Sequence, residues 1–190
     1  MLTDPLFSWV AVLISLVLLA GYEVRVYLVG KSSPERIARS ANARVRLHWA
    51  AALSAQPGFE IVAVQALRNS LMSSTISAST AALAVMGTVS MAGSSLAGKL
   101  ALGTPVELLH TSLQAVLVLT LFASYVCSAM AMRHYGHASF IMSLPFASPE
   151  RASFTPAAAK HVHRAGLLYS WGLRLFLMAA PVAVGIVHPL

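Results

Sequence analysis

Four long apolar stretches, separated by short segments that hold most of the lysines and arginines, dominate this 190-residue sequence. Each exceeds the ~20 residues a helix needs to cross the hydrocarbon of a bilayer. Hydrocarbon offers no water to backbone N–H and C=O groups, so such stretches are confined to helices that pair those groups internally. The fold class predicted is all-α: one integral membrane domain over 1–190, a four-transmembrane-helix bundle with one basic interfacial amphipathic helix.

Composition supports that solvent. Charged residues make up only 10% of the chain and hydrophobic ones 57%, against roughly 25% charge in an average soluble domain. The formal charge of +7 is compatible with nucleic acid. The aromatics, however, lie in apolar runs and the basic residues beside them, so the expected anionic partner is the lipid headgroup and not nucleic acid. Cys127, the single cysteine, excludes an internal disulfide and a site built from several thiolates. Residues 1–7 carry Asp4 and no basic group, and the apolar run after them exceeds a signal-peptide core, so an uncleaved first span is expected.

Proline sets the punctuation. Asp4-Pro5, Ser33-Pro34, Thr104-Pro105, Ser148-Pro149 and Thr155-Pro156 each place a capping side chain before a proline, the favoured order at a helix start. Pro57-Gly58 adds a break. The spans expected are about 5–29, 59–92, 105–132 and 160–187, with the amphipathic helix over about 34–55 and a polar turn over 93–103. The segments 30–58 and 133–164 hold most of the basic residues, so the positive-inside rule makes them cytoplasmic and puts both termini outside. The expected location is a bacterial inner membrane. On the amphipathic helix Arg36, Arg39, Arg44 and Arg46 form the polar face, with Ile37, Val45, Trp49 and Leu53 toward lipid or protein. The tetrapeptide Ser-Pro-Glu-Arg occurs in both cytoplasmic segments, at 33–36 and 148–151. Chance reuse of a capping sequence explains it better than duplication does.

The second span opens Val64-Gln65-Ala66-Leu67-Arg68-Asn69-Ser70-Leu71-Met72, followed by Ser74-Thr75 and Ala78-Ser79-Thr80-Ala81. Arg133-His134-Tyr135, His137, Phe140-Ile141 and the glycine, arginine and aromatic pattern over 166–176 accompany it. This set resembles the signature of the domain of unknown function 599 family, small membrane proteins of bacteria and plants. The resemblance implies an integral membrane fold and transfers no activity.

Charges inside the apolar stretches are the best functional clue. Counted from the ends of their runs, Glu23, Arg68 and Arg174 share about the same depth, roughly 10 Å into the cytoplasmic side. They are expected to form one intramembrane polar layer with Gln65 and Asn69, and with Tyr22 and Tyr169 in reach. Glu23 is the only acid at that level, so Arg68 or Arg174 pairs with it and one guanidinium remains for a phosphate or carboxylate. The competing structural reading has the arginines snorkelling or closing helix carbonyls. Ser70, Ser74, Ser77 and Ala81 share one helix face and form a helix-packing seam for another span or another protein.

The remaining polar groups favour structure over chemistry. Glu107, His110 and Gln114 follow i, i+3, i+7 spacing, but Thr104 to Glu107 is also a capping box. His110 and His188 suit a haem or copper ion held from two helices. His134, His137, His161 and His163 suit zinc or a pH response, without a carboxylate to complete the set. No phosphate loop, nucleophile elbow or paired carboxylates occur. No catalytic, cofactor or metal site is therefore assigned. The favoured reading is a non-enzymatic accessory, scaffolding or assembly subunit whose partners are membrane lipids and other subunits or its own copies. A small transporter or channel gated by the Arg/Glu layer is the alternative, and a b-type haem or metal protein the third.

Overall fold

The computed structural model describes residues 17, 21–26, 28–30, 32, 38–99 and 105–187. All regular structure among them is helical: α1 (Ala38–Ser54), α2 (Glu60–Lys99), α3 (Pro105–Met142) and α4 (Pro149–Val187). Residues 21–26 and 28–30 are helical as well. Most of the first span expected at 5–29 lies outside the described residues. Among the described residues three helices are long and apolar enough to cross a membrane, over Glu60–Met91, His110–Met142 and Pro149–Ile186.

These helices outrun the bilayer. At 40, 38 and 39 residues each is nearly 60 Å long, about twice the hydrocarbon thickness. The basic segment over 133–164 is mostly helix, because α3 continues to Met142 and α4 already begins at Pro149. Ser148 sets that start: its Oγ accepts the Arg151 N–H at 3.2 Å, and Pro149 occupies the first helical position, where no N–H is needed. Pro156, expected to open a helix, lies inside α4 instead. A helix already running through it gives up a single bond there. Likewise α2 continues to Lys99 through much of the polar turn expected at 93–103.

Between α1 and α2, Gly58 takes a left-handed φ of +85°, which only glycine adopts without a steric penalty. The chain thereby reverses at Pro57-Gly58, and the Ala63 N–H donates to the Phe59 carbonyl at 2.9 Å to begin α2.

α3 is the central helix, packing along α2 on one side and α4 on the other, while α1 lies mainly against α4. Toward the basic end a core joins Ala50, Ala63, Leu67, Ala131, Tyr135, Ala138, Met142, Ala158, Val162 and Ala165. A smaller cluster of Leu117, Leu121 and Ala179 holds the other end. Alanine dominates the first core, so the helix backbones approach closely. At Gly172 a Cβ would lie 2.6 Å from the Ser128 Oγ and 3.3 Å from the Ser124 carbonyl oxygen. The Ser124 hydroxyl donates to the Gly172 carbonyl across that contact at 2.7 Å.

α1 docks on the bundle as well as presenting charge. Ala43 and Ala50 are buried, Trp49 and Leu53 pack against the core, and Val45 and Arg44 face outward. A Cβ at Gly166 would collide with the Arg46 guanidinium, so α4 makes room for an arginine turned inward. Arg36 and Ile37 lie outside the described residues.

Candidate functional site

The acid expected to need a partner has one. Arg174 Nη1 donates to Glu23 Oε1 at 3.0 Å and to Oε2 at 3.1 Å. The Trp171 ring lies one turn earlier on α4, with its centroid 6.0 Å from the Arg174 guanidinium carbon. Both charged side chains are about three-quarters covered. The pair is neutral overall and ties the helical segment around Glu23 to α4.

Arg68 is elsewhere. Thr75 meets Met132 across α2 and α3, and Leu71 lies against Gly136, so this antiparallel register puts Arg68 opposite the region of Ser139. Arg174, two residues beyond Gly172, stands near Ser124. The two levels are roughly 15 residues apart on α3, a rise of about 22 Å. Arg68, Gln65 and Asn69 are all exposed on the outer face of α2. The single polar layer is therefore corrected to a Glu23–Arg174 pair. Depth counted from the edge of an apolar run misplaces Arg68, because α2 begins well beyond the level where the apolar part of α4 begins. The surplus guanidinium that an anion gate requires is not beside Glu23 among the described residues.

The small-residue seam lies inside the molecule. Ser74, Ala78 and Ala81 are buried on the side of α2 that packs along α3, whereas Ser70 and Ser77 are half-buried at its margin. Their hydroxyls are spent locally: Ser70, Ser74 and Ser77 donate to the carbonyls of Ala66, Ser70 and Ser73. Close packing, not recognition, accounts for this face.

The most completely enclosed charge among the described residues lies in the basic segment 133–164. Arg151 is 2% exposed. Its Nη1 donates to the Leu144 carbonyl at 2.7 Å and the Met142 carbonyl at 3.2 Å, and lies 3.5 Å from Glu60 Oε1. Phe146 covers it, with 5.8 Å from guanidinium carbon to ring centroid. Arg151 thus closes the end of α3, where carbonyls have no partners within the helix, and links it to the first turn of α2. The signal was the second Ser-Pro-Glu-Arg, in which the cap places arginine at the third helical position, folded back over the turn. The first copy, at 33–36, lies outside the described residues.

Of the four histidines His134, His137, His161 and His163, the first three meet. His134 Nδ1 and His161 Nδ1 are 2.9 Å apart, and the His137 and His161 ring centroids 5.3 Å. His163 is not part of this contact, and its Nδ1 is buried without a hydrogen bond among the described residues. Among the described residues no three His, Cys, Asp or Glu groups are placed to hold a metal ion. His188, one of the two proposed haem ligands, lies outside the described residues.

A family model described as a protein of unknown function, DUF599, matches residues 10–190. The chain belongs to the DUF599 family. No curated protein and no solved structure matches it. The DUF599 match takes in the Glu23–Arg174 pair, the Arg151 closure and the histidine contact together. Membership brings no assigned activity with it.

Proposed function

We propose that this DUF599 protein is a non-enzymatic, multi-pass protein of the bacterial inner membrane, with both termini outside, that serves as an accessory or scaffolding subunit. The observation that carries this reading is the outer face of α2. That helix packs along α3 and makes only minor contact with α1 and α4, leaving Met72, Ile76, Leu83, Met86 and Met91 exposed. A Cβ at Gly87 would meet nothing. Flexible methionines and small residues suit close approach by another helix, and Gln65, Arg68 and Asn69 continue the same face with polar groups able to select a partner.

Purification from native membranes in gentle detergent tests this. The expected result is a particle heavier than one chain, lost on Ile76→Trp without a fall in melting temperature. A single chain in isolation, with Ile76→Trp changing nothing, refutes it.

A further inference from the structure

Where α3 leaves its apolar stretch and α4 enters its own, five basic side chains converge from two helices. His134 and His161 share the 2.9 Å Nδ1–Nδ1 contact, with ring centroids 5.1 Å apart, and His137 lies beside His161 with its ring tilted. Arg133 and Arg164 are close enough to act electrostatically on His134, and Arg164 on His161 as well. Among the described residues no carboxylate pairs with any of the five, since the ion pairs there join Glu23 to Arg174 and Glu60 to Arg151.

Arg133 and Arg164 bring two positive charges to this cluster without an acid, and an anion between them relieves their repulsion. At 2.9 Å one Nδ1 donates to the other, so the accepting imidazole carries its hydrogen on Nε2 and offers it as a donor. Arg133, His137 and Arg164 are exposed, so their donors are open to an incoming group. Arginine forks and an imidazole N–H match the several oxygens of a phosphate. The level also matters: Met132 precedes the cluster and Leu167 follows it, so helices that cross a bilayer set these groups at headgroup depth.

We infer that the α3–α4 cluster of Arg133, His134, His137, His161 and Arg164 is a binding site for a phosphate-bearing anion. An anionic phospholipid headgroup and free phosphate share that chemistry. The site is independent of the α2 face, so its test does not depend on the mass of any complex.

Thermal unfolding of the detergent-purified full chain, with phosphatidylglycerol, phosphatidylcholine or inorganic phosphate added, reads the site directly. Stabilisation by phosphatidylglycerol alone identifies a lipid headgroup, and stabilisation by inorganic phosphate identifies a soluble phosphate. Arg164→Gln is expected to weaken the effective probe about fivefold, while Arg164→Lys retains most of the binding. His161→Gln combined with Arg164→Gln should abolish the response. Should that double variant fail to fold, exposed His137→Gln should still weaken binding by a similar factor. Arg44→Gln, on the outer face of α1, should leave it unchanged. No response to phosphatidylglycerol or phosphate, or an Arg44→Gln loss as large as that of Arg164→Gln, overturns the assignment.

Discussion

Replacing Arg151 with methionine tests whether one buried guanidinium holds the basic end of the bundle together. The substitution keeps most of the side-chain bulk and removes two charge-assisted bonds, to the Met142 and Leu144 carbonyls. Each such bond contributes about 1.5–3 kcal/mol. Against that loss stands a relief, since Arg151 Nε and Nη2 are buried without partners among the described residues. Glu60 loses its partner, but at 23% exposure it regains water. The loss is therefore below the roughly 3–5 kcal/mol of a fully buried broken pair. A net destabilisation of about 1–3 kcal/mol follows. For a chain of this size that is a fall of about 3–10 °C in melting temperature, measured in detergent by near-ultraviolet circular dichroism. Glu60→Gln, which leaves both carbonyl bonds in place, should cost less. An unchanged melting temperature in Arg151→Met refutes the closure argument. A Glu60→Gln loss equal to that of Arg151→Met shifts the weight to the ion pair.

Glu23→Gln and Arg174→Gln should each destabilise by about 3 kcal/mol, because each leaves a charge unpaired in an apolar stretch. The double variant should lose much less than the sum, and additive losses in that cycle would show that the pair contributes nothing. Gly172→Ala, whose Cβ would sit 2.6 Å from the Ser128 Oγ and 3.3 Å from the Ser124 carbonyl oxygen, should cost about 1–3 kcal/mol by overpacking. Adding Ser128→Ala should recover part of that loss, because the hydroxyl is removed while the backbone stays, and no recovery would place the strain elsewhere. A cysteine at Ser40 in a Cys127→Ser background should resist an impermeant thiol reagent in intact cells, as expected for a cytoplasmic α1, and labelling from outside would reverse the topology.

The sequence by itself determined the helical class, the family and the apolar stretches, because solvent and backbone pairing leave hydrocarbon-length segments no other structure. It also supplied the Glu23–Arg174 pair as one of two alternatives, since a lone acid in an apolar run needs a cation. Capping chemistry was legible at Ser148-Pro149 for the same local reason: the cap is made within one turn of chain. Only tertiary structure decided which residues share a level. The meetings of Thr75 with Met132 and of Gly172 with Ser124 and Ser128 set the helix register, separating Arg68 from Arg174 and turning the serine seam inward. The enclosure of Arg151 depends on the turn over which it folds and on Glu60, some ninety residues away in sequence. Periodicity reports which face of a helix is apolar; how far a helix slides along its neighbour is set by interlocking side chains, and that sum of small contacts has no signature in any one segment.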